Sequence, residues 1–277
     1  MQPHHASERP VRIRPFRRGF AGVSRHWFGG NAVATHLVNG LNLVFPSGER
    51  FFIQSVRHYE ARITDPVLRQ QIRGFYAQEG HHGHAHELFF EALRQQGYAI
   101  DGPLRFVDAL LHRVAPRVMP PALRLSITVA LEHYTALMAE LPFDHPYFER
   151  IDPAVRELLL WHAAEEIEHK AVAFDVLRTV APGHALRLAG FAVATAFLLP
   201  IWGTLTLSLL AHDDLPLGRL VAELRELAGE RFVVELFADV LREYLPADFH
   251  PLQRDSYPRV VEFLSRFEAA TPARWPS

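Results

Sequence analysis

Two eighteen-residue runs constrain this chain more than any other feature: residues 65–82 read DPVLRQQIRGFYAQEGHH and residues 152–169 read DPAVRELLLWHAAEEIEH. Laid over one another without gaps, they share Asp65/Asp152, Pro66/Pro153, Arg69/Arg156, Glu79/Glu166 and His82/His169. Asp followed by Pro is a helix start. The carboxylate caps free N–H groups of the first turn, and Pro, with no N–H to lose, fits the first helical position. Each run therefore predicts a helix carrying Glu-x-x-His at the same distance from its beginning, and residues three apart share a helix face. The two halves of the chain are built on one plan.

Breakers along the sequence set the remaining elements. Pro46-Ser47 opens a helix over about 47–63, and the helix from Pro66 closes near residue 96, before Gly97. A short helix over 104–114 precedes a long one over 121–141, which opens at Pro120-Pro121 and stops before Pro142. The second repeat helix is expected from Pro153 to about Val180, ahead of Pro182-Gly183. No stretch alternates polar and apolar residues with period two. The expected fold class is all-α, a four-helix bundle with additional C-terminal helices. The expected organisation is a basic arm and lead-in (1–44), a bundle (45–181), and a hydrophobic helix pair with C-terminal helices packed on it (182–277), all in one domain.

Arg9, Arg12, Arg14, Arg17 and Arg18 make the N-terminal arm basic. It is expected to be a solvated tail, with contact to an anionic membrane as the alternative. Residues 188–211 are 24 positions without a formal charge, interrupted by Pro200 and Gly203. They are long enough to span a bilayer, but Pro200 suggests a pair of core-length helices, buried or covered in a homodimer, with membrane-surface contact as the rival. Net charge is -2, so no global field recruits nucleic acid. The chain has no cysteine, which excludes disulfides, thiolate metal sites and a cysteine nucleophile. The first twenty residues contain no apolar segment resembling a cleavable signal. The expected location is cytoplasmic, with membrane association as the alternative.

Each Glu-x-x-His is preceded by a helix with one carboxylate among apolar neighbours. Glu49 lies 30 residues before Glu79, and Glu132 lies 34 before Glu166. A carboxylate facing a core is costly unless paired, protonated or metal-bound, and four converging carboxylates repel one another. Two divalent cations neutralise that charge. One Glu from each of two helices with Glu-x-x-His from two others is a ligand set used by di-iron and di-manganese bundles. The expected ligands are Glu49, Glu79, His82, Glu132, Glu166 and His169. Glu79 and Glu166 would bridge, Glu49 and His82 would hold one ion, and Glu132 and His169 the other. His162, one turn before Glu166, is a seventh candidate. His86 and Glu165 are expected to support the ligands, although Glu165 and His169, four apart, could form the pair in another register. His81 and His84 are expected to face solvent, and His133 and Tyr134 to pack.

FPSGERFF around Glu49, QEGHHGHAHE around Glu79 and WHAAEEIEHKAVAFD around Glu166 carry a resemblance. Through them the chain resembles the ferritin-like di-metal superfamily and, more narrowly, a bacterial family of predicted metal-dependent hydrolases. The likeness is close over 45–175 and looser elsewhere. The spacing His162-x-x-x-Glu166-x-x-His169 is similar to that of di-iron N-oxygenases of the p-aminobenzoate-oxidising type, which implies an added imidazole on one metal. The thiolate-free ligand set suits two Fe ions, with Mn as the alternative. The leading expectation is an O2-dependent oxidoreductase that takes a small apolar or amine-bearing substrate and electrons from a donor. The rivals are a two-metal-dependent hydrolase and a ferroxidase or metal-handling protein.

Overall fold

A computed structural model describes residues 11–270; Arg9 of the basic arm lies outside them. In chain order the helices are α1 (Ala32–Asn42), α2 (Phe45–Arg57), α3 (Pro66–Gln95), α4 (Asp101–Ala109), α5 (Ala115–Val118), α6 (Pro121–Met138) and α7 (Leu141–Asp144). They continue as α8 (Pro153–His169), α9 (Val172–Val180), α10 (His184–His212), α11 (Leu217–Gly229), α12 (Phe232–Tyr244) and α13 (Tyr257–Ala270). The fold is all-α. Among the described residues the only β pairing is an isolated bridge between Phe28 and Ile151.

The repeat helices begin as their sequences dictate. Asp65 accepts from the Val67 N–H at 2.8 Å, and Asp152 accepts from that of Ala154 at 2.9 Å. α3 ends in a left-handed turn at Gly97 (φ 92°), where Gly97 N–H donates to the Arg94 carbonyl and Tyr98 N–H to that of Leu93. Both free carbonyls are thereby satisfied, and glycine alone adopts that φ without strain.

Four helices form a closed ring. α2 packs on α3 and α6, and α8 packs on the same two. These are the helices that carry Glu49, Glu79, Glu132 and Glu166. α10 lies outside the ring against α1 and α6. Glycines allow that approach: a Cβ on Gly190 would collide with the Ser126 hydroxyl and backbone, and one on Gly40 would collide with Thr206 Oγ1.

Several expected boundaries move. α2 starts at Phe45 and ends at Arg57, with only a 3-10 turn at Glu60–Arg62 after it. The short helix over 104–114 starts at Asp101 and runs through a π-helical stretch, Leu110–Val114, into α5. α6 stops at Met138, and Pro142 lies inside the turn α7. The second repeat helix is broken at Lys170-Ala171, where the Lys170 ammonium reaches the Arg254 carbonyl and the Ser256 hydroxyl.

Two expectations are corrected outright. The basic arm is not simply solvated: Arg14 is buried against Glu168, and its carbonyl accepts from Trp161 Nε1 at 2.8 Å. The charge-free stretch is one helix and not a pair, because Pro200 sits inside α10. Pro200 leaves the carbonyl four residues back without its usual donor. That residue, Ala196, is on the exposed side, where water can replace the donor. α10 is the one helix among the described residues long and apolar enough to cross a membrane, and most of its apolar stretch stands outside the core.

Adding bulk at Gly190 should push α10 off α6. Overpacking costs about 1–3 kcal/mol, or roughly 2–12 °C in melting temperature for a chain near this size. Gly190→Val should therefore melt lower by that amount, while Gly203→Ala, with nothing within 4 Å of its Cβ, should match or exceed the wild type. Equal melting of the two variants would contradict the close packing.

Candidate metal centre

The ring brings the expected residues to one place. Glu49 comes from α2, Glu79, His82 and His86 from α3, Glu132 from α6, and His162, Glu165, Glu166 and His169 from α8; all are buried. His82 Nδ1 lies 3.9 Å from Glu79 and 3.5 Å from Glu166. His169 Nε2 lies 3.5 Å from Glu79, 3.5 Å from Glu166 and 3.7 Å from Glu132. Glu79 and Glu166 thus each stand beside both repeat histidines. His162 Nε2 is 3.0 Å from Glu166 and 3.9 Å from Glu49.

His86 and Glu165 occupy supporting positions. His86 Nε2 is 2.7 Å from His162 Nδ1, which leaves His162 Nε2 turned to the carboxylates. Glu165 Oε2 is 3.0 Å from His82 Nε2, on the far side of that ring from the cluster. His84 is exposed and His81 half-buried; His133 packs against Tyr244 and Phe249, and Tyr134 stacks on Phe191.

The cluster fits cations by the state of its polar atoms. Both oxygens of Glu49, Glu79 and Glu132, together with His82 Nδ1 and His169 Nε2, are buried without a hydrogen-bond partner. Unpaired buried polar atoms are costly and rare, and here they face one another. Glu79/Glu166/His169, Glu49/Glu79/His82, His82/His162/Glu166 and Glu49/His86/His162 each present ligand atoms within 4.8 Å of one another. Burial and the neighbouring carboxylates push Glu49 and Glu79 well up, and burial pushes Glu132 up to about 8 despite His169. Glu166 goes the other way. Burial would raise it, but His169 and His162 outweigh burial and hold it well below the usual range.

The internal repeat extends to the partners of the histidines. Gln78 and Glu165 precede the two Glu-x-x-His motifs at equivalent positions, and each reaches across to the other half. Gln78 Oε1 is 2.8 Å from His169 Nδ1, as Glu165 is 3.0 Å from His82 Nε2. Phe75 and His162, also equivalent, contact His169 and His82 in the same crossed sense. Such contacts fix ring orientation and tautomer, leaving one nitrogen of each ring for a metal. Arg14 ties the two sides together. It donates to Glu168 at 2.9 and 3.1 Å and lies 3.6 Å from Glu165, while Gln78 Nε2 donates to Glu168 at 2.7 Å. Sequence spacing pointed to the candidate ligand positions but not to Gln78, Thr135 or Arg14. Thr135, one turn after Glu132, donates to Glu166. The repeat alignment could have flagged Gln78; nothing local could have flagged Arg14.

Two apolar cavities of about 180 Å³ each reach the cluster. One is lined by Glu49, Phe45, Thr135, Val114, Val118 and Phe197, among others. The other touches His162, Glu166, Phe45, Thr135, Trp202 and Phe237. A second group of potential ligands, His26/His36/Asp213, differs in kind. Asp213 accepts from Arg25 at 2.7 Å and Tyr98 at 2.6 Å, with both histidines within 2.7 Å. Its oxygens are already satisfied, and a guanidinium in the set disfavours a cation.

A family model described as predicted metal-dependent hydrolase matches residues 12–255. No curated protein and no solved structure matches the chain.

Two measurements follow from this geometry. Glu132 is raised to about 8, so folding retains its proton across the interval from the unfolded carboxylate value, about 4.3, up to that pH. Metal-free protein should therefore lose stability as pH rises through this window, and Mn(II) should flatten the profile; a flat metal-free profile would contradict the buried charge. Glu165→Gln should weaken metal retention about 10–100-fold in chelator competition, whereas exposed Glu149→Gln should not.

Proposed function

We propose that this chain, which belongs to the predicted metal-dependent hydrolase family, is a two-metal enzyme whose substrate carries an apolar body. The observation that carries this reading is the junction of a carboxylate–imidazole cluster with apolar cavities. Glu49 lines one cavity, and His162 and Glu166 line the other. Specific sites pair an apolar pocket with a few convergent polar groups in this way. Glu79 and Glu166 would bridge two ions, with Glu49, His82 and His162 on one side and Glu132 and His169 on the other. The ring of α2, α3, α8 and α6 supports a ferritin-like reading of the bundle. Four carboxylates and imidazoles without thiolates suit iron or manganese.

For the reaction we favour O2-dependent oxidation, with an external donor of electrons. A metal pair bound here would supply electrons to O2. The four carboxylates would balance two divalent ions, and a ligand set this rich in anions favours the loss of electrons from them. O2 is apolar and can use the same cavities as the substrate. His162, held by His86, makes the two halves unlike. Thr135 orients Glu166 by donating to it, and Phe45 packs on both His86 and His162.

The second reading is hydrolysis, and the family description is the finding that favours it. The metal pair would then activate water and polarise a carbonyl or phosphoryl oxygen. The same cavities would hold an apolar acyl or alkyl group.

Anaerobic loading with Fe(II), followed by O2, should give O2 uptake that rises with an aliphatic amine or alcohol and is lost with Glu166→Ala. Under argon, p-nitrophenyl acyl esters should remain uncleaved in the presence of Fe(II), Mn(II) or Zn(II). Metal-dependent ester cleavage without O2 uptake would replace oxidation by hydrolysis. Failure of the wild type to retain any of these metals would overturn the two-metal reading.

A further inference from the structure

α10 has two unlike sides. Arg187, Gly190, Phe191, Ala194, Leu205 and Leu209 turn inwards. Ala189, Ala192, Ala196, Leu199, Leu207 and Ala211, spaced three or four apart and eight at Gly203, remain exposed on the other side. At 1.5 Å per residue this apolar stripe runs about 33 Å. Leu199 and Leu207 are the large apolar side chains exposed on it, and a contiguous exposed apolar face is a candidate interaction site.

The stripe adjoins an entrance. Phe197 on α10 (47% exposed) and Val114 and Val118 on the π-helical and α5 segments (45% and 67%) are open to the medium. All three also line the cavity that has Glu49 among its walls. They are its mouth. The segment bordering this mouth is basic: residues 101–125 contain Arg105, Arg113, Arg117 and Arg124 against Asp101 and Asp108. Asp101 is itself engaged by Arg94 at 3.0 Å and Asp108 by Arg50 at 3.1 Å.

We propose that this face docks on an anionic bilayer surface, so that the hydrocarbon chain of a membrane lipid enters the cavity towards Glu49. The proposal deepens the apolar-substrate reading above and rests on it for the fate of the chain. Exposed apolar side chains flanked by arginines match a bilayer with anionic headgroups. α10 does not cross the membrane. It lies lengthwise against α1 and α6, and crossing would drag the buried Glu132 and His36 of those helices into hydrocarbon. A second copy fits less well. A twofold interface sets the same patch against itself, bringing the basic margins of both copies together.

The test is co-sedimentation of the intact protein with vesicles of phosphatidylcholine alone or mixed with phosphatidylglycerol. Binding should be tighter to the mixed vesicles and should weaken with salt. Phe197→Asp with Leu207→Asp should reduce it about tenfold or more. Arg105→Gln, Arg113→Gln and Arg117→Gln together, all on exposed positions, should abolish the preference for phosphatidylglycerol; this triple variant and Leu207→Gln serve if the aspartate variant fails to fold. Absence of binding to both vesicle types would overturn the proposal. So would a stable dimer that Leu207→Gln converts to monomer, since the face would then belong to a second copy. Metal content measured on the same samples separates the two readings. Normal metal without vesicle binding sinks the docking alone, and vesicle binding without metal retention sinks the two-metal reading alone.

Discussion

Burial of four mutually repelling carboxylates is the constraint on which the rest of this molecule depends. Glu49, Glu79, Glu132 and Glu166 come from four helices, and both oxygens of the first three are buried without a hydrogen-bond partner. Imidazoles answer them inside the cluster, joined at Glu166 by the Thr135 hydroxyl, and Glu166, beside His169 and His162, is the carboxylate held well below the usual range. The remaining three are pushed towards their protonated forms without cations. Packing around the cluster accordingly has to be strong enough to keep such a site assembled. Trp161 and Phe75, both fully buried, pack against His82 and His169. Gly83 leaves room for Glu49, whose Oε2 would lie 3.0 Å from a Cβ at that position.

The crossed arrangement of the two halves gives this site its shape, and departures from it give the site its polarity. Position for position, Glu165 answers Gln78 and His162 answers Phe75. One histidine therefore leans on the carboxyl group of Glu165 and the other on the amide of Gln78. One side also has an additional imidazole. A buried charge at Glu165 would destabilise the fold, and Arg14, 3.6 Å away and 151 residues earlier in the chain, offsets burial only in part, so Glu165 is held well above the usual carboxylate range. The same guanidinium orients Glu168, which orients Gln78. A residue remote in sequence thus sets both histidines, and the inequivalence of the two halves is a property of the supporting contacts as much as of the candidate ligands.

What could be read from the sequence was what helices make local. Glu79 and His82, or Glu166 and His169, share a face because of their spacing, and the Asp-Pro starts fix where that face begins. Glu49 and Glu132 were recognisable because a lone acid among Phe, Ile, Val and Leu demands a reason. Long-range contacts were not readable in this way. Arg14 sat in an arginine-rich run that looked solvated, and its partners lie on the second repeat helix. α1 carries no breaker pattern of the kind that marked α3 and α8. The break after His169 depends on Lys170 meeting the Arg254 carbonyl and Ser256, a tertiary contact that overrides an unbroken helical pattern. Residues 188–211 were legible as apolar, but composition could not say which side would be covered.

That last ambiguity matters for how the site is reached. α6 presents Glu132 to the cluster on one side and takes α10 on another, so any change in the seating of α10 is felt one helix away from the carboxylates. Val193, Ala194, Phe197, Leu198 and Ile201 of α10 form a wall of the cavity at Glu49. The apolar character of that helix therefore has two separate causes. Its inner positions have to match α1 and α6, and the cavity-lining positions have to exclude water from the mouth to the carboxylates. Neither requirement explains Leu199 or Leu207, which face the medium. Charges at those two positions would cost no packing, and their absence over 24 residues is the feature that the proposed docking on a bilayer accounts for.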